Sequence, residues 1–224
     1  MGPAEEAEFR RARLGRVWDV LGRCGLVLLS DARLASVASL VAGAPVRGSW
    51  WGHPRGHAIW RVAFRLGQHP DVTDAKLVSG KVTYVHRKLW PALVAVGSAG
   101  ESWQLAGMTR AARSLLAEVK RKGEVRTDQL AKSRCAARKA VGEAPQTGAG
   151  QAARELEGWL LVHSDEVHTE RGAHAKRLET WEHWAKRVGF SGKKMAAARA
   201  KKELEQAVKA LSAGSGARGR LPWD

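Results

Sequence analysis

The stretch PRGHAIWRVAFRLGQHPDVTDAKLVSGKVTYVH, Pro54 to His86, changes its hydrophobic period halfway along. Over Pro54–Gly67 the apolar residues Ile59, Val62, Ala63 and Leu66 recur at helical spacing and predict one buried stripe. Proline suits the first turn of such a helix, where its missing N–H would have had no partner anyway. His57, Arg61 and Arg65 stand four residues apart and share the opposite face. After the break Gln68–Asp71 the period becomes two. Lys76–Val78 and Lys81–His86 are β-rich runs around Ser79-Gly80, which predicts a tight hairpin. Alternation sets Val82, Tyr84 and His86 on one face of it, with Lys81, Thr83 and Val85 on the other.

The flanking segments extend this pattern. Arg10–Gly22 carries Leu14, Val17, Trp18 and Leu21 at helical spacing, and Gly22 and Gly25 are its stop signals. Gly25–Leu29 reads as a short buried strand. Ser30 is then positioned to cap a helix over Asp31–Ala42, with Leu34, Val37, Ala38 and Val41 inward and Gly43 closing it. Ala44–Gly52 is irregular, and Leu89–Val96 is helical again. The order helix, strand, helix, helix, hairpin is that of a winged helix, in which the third helix and the hairpin face nucleic acid.

A weaker version of the order returns downstream. Thr109 can cap a helix to Lys122 with Ala112, Leu115, Leu116 and Val119 inward, and Gly123 ends it. Glu124–Arg126 is strand-like, and Thr127 can cap a short helix through Ala131. The low-complexity run GEAPQTGAG at 142–150 reads as a loop. A third helix follows over Gln151–Leu161, then a second hairpin drawn from Leu161–His163, Glu166–Thr169, Arg171-Gly172 and Lys176–Leu178. Lys193–Leu211 is a basic helix with a thin seam of Leu204, Val208 and Leu211, followed by a Gly/Ser/Arg tail. The expected fold is therefore mainly α with short β-hairpins (α+β). Two winged-helix-like units, 1–106 and 107–190, precede a basic C-terminal helix and tail at 191–224.

Charge points to the partner. The 224 residues hold 38 basic and 22 acidic side chains, a formal +16, with a pI near 10.6. The excess is clustered: residues 47–90 hold 8 basic against 2 acidic, 110–139 hold 10 against 3, and 191–224 hold 8 against 3. Residues 151–190 are near neutral, at 6 against 7. Clustered Lys and Arg are the footprint of a polyanion binder, because each neutralised phosphate releases a counterion. Two cysteines, Cys24 and Cys135, exclude a disulfide scaffold or a cysteine-ligated zinc module. No apolar run reaches the ~18 residues of a membrane span, and the acidic N-terminus has no signal-like core. A cytoplasmic, nucleoid-associated protein with no membrane partner is expected. No phosphate-binding loop, nucleophile elbow or dinucleotide fingerprint occurs, so no cofactor is expected. His53 and His57 have a ligand-like spacing, but Pro54 and Gly56 interrupt the geometry and no third ligand follows, so no metal is expected.

The side chains capable of chemistry concentrate between Arg47 and Trp90. Trp50 and Trp51 are adjacent in an irregular segment and cannot easily both face one core, so one of them should be exposed or line a cleft. Trp18, Trp60 and Trp90 sit at helical spacing and read as core. Aromatic faces interleaved with cations are what base stacking plus phosphate contact requires. The candidates for contacting nucleic acid are Trp50, Trp51, Arg55, His57, Arg61, Arg65, Arg87 and Lys88. The candidates for chemistry on a base are Tyr84, His86 and His53 for contact or for positioning a water, Asp74 for activating it, and Lys81 as a nucleophile.

Two segments resemble a known family. KLVSGKVTYVHRKLWPAL (Lys76–Leu93) and LEGWLLVHSDEVHTERGAHAKRLETW (Leu156–Trp181), within two winged-helix-like units, are similar to the AlkZ-type (YcaQ-like) bacterial DNA glycosylases. That resemblance implies DNA binding and hydrolysis of an N-glycosidic bond. The family's Gln-hydrophobic-Gln signature has Tyr84-Val85-His86 as its nearest counterpart here, with no glutamine. Of two readings, a DNA-repair glycosylase excising a modified base stands narrowly ahead of a non-catalytic DNA-binding regulator or accessory repair factor. Duplex DNA is the expected partner. RNA stays open beside it, since nothing in one sequence separates recognition of the 2′-hydroxyl, and so does the oligomeric state.

Overall fold

A computed structural model describes residues 3–130, 148–168, 172, 174–192 and 194–224. The chain forms two compact units, Met1–Leu93 with Lys194–Asp224, and Val94–Lys193. Sequence alone placed the first boundary at 106 and set the C-terminal helix apart.

In the first unit the order is α1 (Pro3–Cys24), β1 (Leu26–Leu28), α2 (Val37–Ala42), a 3-10 turn (Trp50–Gly52), α3 (Gly56–Gly67), β2 (Val72–Val78) and β3 (Lys81–His86). After a second 3-10 turn (Arg87–Leu89), α4 (Trp90–Gly97) carries the chain into the second unit. There follow α5 (Ser102–Leu105), α6 (Arg110–Lys122), β4 (Glu124–Arg126), α7 (Ala149–Gly158), β5 (His163–His168), β6 (His174–Glu179) and α8 (Trp181–Arg187). Finally α9 (Ala197–Ser212) belongs to the first unit. Each unit holds one antiparallel sheet, ordered β1-β3-β2 in the first and β4-β6-β5 in the second. The α+β class expected from the sequence is the one observed, with the same strand order built twice.

The hairpin of the first unit follows from its turn. Ser79 and Gly80 have φ of 53° and 67°, the paired left-handed conformation that matches the twist of a two-residue loop. Val78 then pairs with Lys81 and Asp74 with Tyr84.

Several boundaries differ from the sequence reading, each for a local reason. Helix α1 runs through Gly22 and stops at Gly25, where φ is 78° and the amide closes on the Leu21 carbonyl at 2.7 Å. The expected helix over Asp31–Ala42 is only α2. Ser30 does not cap it; Asp31 Oδ1 accepts the amides of Arg33 and Leu34 in a turn. Ser36 and Ser39 form the capping box instead, each hydroxyl accepting the other's amide. Pro54 precedes α3, which starts at Gly56.

In the second unit α6 keeps its Thr109 cap and its four inward residues. Residues Thr127–Leu130 are helical, while Ala131 lies outside the described residues, as do 142–147 of the expected loop, Thr169, Arg171 and Lys193. Helix α7 begins at Ala149, inside that expected loop, and ends before Leu161. Its last turn places Leu160, not glycine, in the left-handed region at φ 54°. Leu161 N–H reaches back to the Leu156 carbonyl at 2.9 Å and Leu160 N–H to that of Glu157 at 3.1 Å. Burial of Leu160 and the 2.7 Å bond from the Trp181 indole to its carbonyl hold that conformation. Sequence analysis missed α8, whose Trp181 and Trp184 are buried.

The C-terminal tail is a packed segment. Leu221 is buried, and Gly219 lies against Val78, Val208 and Leu34 so closely that a Cβ would sit 2.8 Å from Val78. Ser79 N–H donates to the Arg220 carbonyl at 2.7 Å and the Arg220 amide donates to Ser79 Oγ at 3.2 Å.

Beside β6 lies an ion-pair network. The buried Glu179 carboxylate accepts Arg187 Nη2 at 2.6 Å and Nε at 2.9 and 3.1 Å. It also meets His183 Nδ1 at 3.0 Å. Asp165 accepts Arg187 Nη2 at 2.9 Å and pairs with Arg177. Burial acts to raise the Glu179 pKa, but the bonds from His163, Arg187 and His183 outweigh it and hold the carboxyl well below the usual range.

Candidate nucleic-acid interface

Helix α3 buries Ile59, Val62, Ala63 and Leu66, the stripe its sequence dictates. The opposite face carries His57, Trp60, Arg61, Phe64 and Arg65, all exposed. Arg61 and Arg65 have neither an ion pair nor a hydrogen bond among the described residues. Trp60 is a correction to the sequence reading: it is 40% exposed, not core. At 100° per residue it stands about 110° from the middle of the buried stripe, outside the arc that packs. Phe64, which sequence analysis did not single out, is 54% exposed. Its i+7 spacing from His57 was the available signal.

The rings on this face form a row. His57 and Trp60 have centroids 5.9 Å apart with planes 12° from parallel, and Trp60 and Phe64 are 5.5 Å apart at 24°. Just before α3, Trp50 and Trp51 stack at 4.2 Å and 24°. Trp51 is 64% exposed while Trp50 is half-buried, so one of the adjacent pair is exposed, as the sequence required. This 3-10 turn sits directly on the start of α3, where a Cβ on Gly56 would be 2.8 Å from the Trp51 carbonyl. Trp51, Trp60 and Phe64 are the large apolar side chains exposed among the described residues.

Other expected contacts have structural duties. Arg55 Nη1 donates to the carbonyls of Ala42 at 2.9 Å and Val41 at 3.3 Å, closing the C-terminus of α2. Lys88 Nζ does the same for α1 through Gly22 O and Arg23 O. Arg87 pairs with Asp71 at 3.4 Å and lies over the Trp90 ring at 5.4 Å. Trp90 is core as expected, and Trp18 is half-buried against His69.

The residues proposed for chemistry are not drawn to one reacting point. Tyr84 is buried, its hydroxyl donating to the Ala63 carbonyl at 3.2 Å. Burial, with a smaller push from the Asp74 carboxylate, raises its pKa well above the ordinary phenol. It ties the hairpin to α3 instead of facing a base. Asp74 lies opposite Tyr84 in the ladder. Lys81 Nζ is 2.6 Å from Asp31 Oδ2, an ion pair in place of a neutral nucleophile. Burial opposes ionisation of Asp31, but Lys81 and the Leu34 and Arg33 amides outweigh it and lower its pKa. His86 Nδ1 accepts the Lys88 amide at 3.2 Å; burial first, then the neighbouring Lys88 charge, lower its pKa against the pull of Asp71. His53 Nδ1 accepts the Arg55 amide at 3.1 Å.

Among the described residues, groups with metal-ligand spacing occur in the second unit: Glu124, Glu179 and His183, and His163, Asp165 and Glu179. Arg187 and Arg177 engage Glu179, which both groups share, and Asp165.

Charge separates the units. The first holds 21 basic against 10 acidic side chains and the second 17 against 12. No helix among the described residues is long and apolar enough to cross a membrane.

No protein-family model and no curated protein matches the chain. Among solved structures it has a weak likeness to the Streptomyces sahachiroi DNA glycosylase AlkZ, of the type its sequence resembles, at 16% identity and a TM-score of 0.47. The match covers 87% of this chain and 51% of that one, so the chain spans about half the length of that glycosylase.

Proposed function

We propose that this protein binds duplex DNA through the outward face of α3, with Arg61 and Arg65 on phosphates and His57 beside them. The observation that carries the reading is a pair of exposed guanidinium groups one helical turn apart, unpartnered among the described residues, in the unit that holds most of the charge excess. Leaving such groups unpaired is characteristic of a surface whose counter-charges come from a partner. In a winged-helix arrangement α3 is the element that enters the groove. The hairpin tip contributes less than its sequence suggested, because Lys81 is paired with Asp31. The tail brings the exposed Arg220 to that tip through its bonds to Ser79.

Binding is favoured over chemistry by two commitments: Tyr84 is buried and bonded to the Ala63 carbonyl, and Lys81 is paired with Asp31. Fluorescence anisotropy with a labelled duplex, repeated across salt concentrations, tests the proposal. Arg61→Ala with Arg65→Ala should weaken binding about equally for all sequences and reduce the salt slope by about 1–2. Absence of duplex binding, or a variant with an unchanged slope, overturns it.

A further inference from the structure

The row of rings on α3 has no explanation in phosphate contact. Trp60 and Phe64 project into solvent beside Arg61 and Arg65, and Trp51 adds a third open ring just before the helix. Exposing such side chains forgoes the roughly 1.5–3 kcal/mol that burying each would contribute. A partner that covers them must offer flat apolar faces and negative charge together.

We infer that this aromatic row is a stacking platform for unpaired nucleobases, so that the protein prefers DNA carrying a bulged, mismatched or single-stranded segment over a perfect duplex. The inference rests on the DNA-binding reading and specifies what that surface recognises. Three observations support it. The rings are nearly parallel, with planes 12° and 24° apart along α3, so a base can lie on the row in the same orientation. The cations Arg61 and Arg65, without a partner among the described residues, run alongside the rings on the same exposed side of α3, as a phosphate backbone runs alongside its bases. A perfect duplex keeps its base faces stacked on one another, and only an unpaired base presents one. A second copy of this chain is the poorer occupant, because it would bring the same two arginines and a formal +16 of its own against them.

The test uses the full chain with three labelled DNAs of equal length: a perfect duplex, the same duplex with one bulged adenine, and the single strand. The wild type should bind the bulged and single-stranded forms more tightly than the duplex. Trp60→Ala with Phe64→Ala should reduce that preference by about fivefold or more, while the salt slope, set by the arginines, and the thermal midpoint stay close to wild type. Trp60→Phe with Phe64→Tyr should retain the preference. Duplex binding without preference for unpaired bases, or a preference indifferent to Trp60→Ala with Phe64→Ala, overturns this inference and leaves the DNA-binding reading intact. Loss of all DNA binding by the wild type would remove both. A self-association in sedimentation that Trp60→Ala with Phe64→Ala abolishes, with the base preference unmoved, would assign the row to a second copy and also overturn the inference.

Discussion

At Tyr84 a phenol with the right chemistry for a base contact is committed to packing, its hydroxyl held by the Ala63 carbonyl at 3.2 Å. Tyr84→Phe should therefore lower stability by about 1 kcal/mol, read from urea midpoints, and leave DNA affinity where it was. A large loss of affinity with unchanged stability would return Tyr84 to the interface. Trp60 errs in the opposite sense. Its residue type argues for the core, its angular position on α3 argues against it, and the angle wins because a helix buries an arc and not a composition. Arg55, Lys88 and Lys81 show why charged residues are the hardest to place from sequence. Each is long enough to reach either a phosphate or a nearby carbonyl, and only the folded chain shows that Ala42 O, Arg23 O and Asp31 Oδ2 lie within reach.

Among the elements, α1 and β1 depend on one backbone conformation. Gly25 has φ 78°, and a Cβ there would lie 2.6 Å from the Leu89 side chain. Gly25→Ala should cost more than about 1 kcal/mol by chemical unfolding, from left-handed strain and crowding together. In the second unit the strand β6 depends on Glu179. Glu179→Ala removes the buried acceptor that Arg187, His183 and Arg177 share, while the exposed Arg187 keeps Asp165, and should cost about 1–3 kcal/mol. The sign of the pH dependence follows from the lowered Glu179 pKa. At acid pH the unfolded chain binds the proton more readily. The stabilisation is therefore complete above the ordinary glutamate range near pH 4.3 and fades as pH falls below it. Urea midpoints of wild type and Glu179→Gln should accordingly converge between neutral pH and about pH 3; a difference that stays constant would place the effect elsewhere.

For the molecule as a whole, the proposed DNA binding rests on the charge excess of the first unit, and the burial of Tyr84 and the pairing of Lys81 with Asp31 weigh against base excision. A panel of lesion-bearing duplexes, held under conditions where binding is saturated, should show retention without base release. Release of a modified base would establish the glycosylase reading and direct attention back to His53 and His86, the chemistry candidates with rings not fully buried. Hydrophobic period, turn chemistry and charge balance were legible without coordinates, because each is written in neighbouring residues. They determined the α+β class, the Ser79-Gly80 hairpin, the Thr109-capped helix and the buried stripe of α3. Tertiary structure alone decided that Ser36 and not Ser30 caps α2, that the tail packs against the hairpin turn, and that Tyr84 is inside while Trp60 is outside. Those outcomes depend on which groups from distant parts of the chain come within a few ångströms of one another, and no local pattern records that.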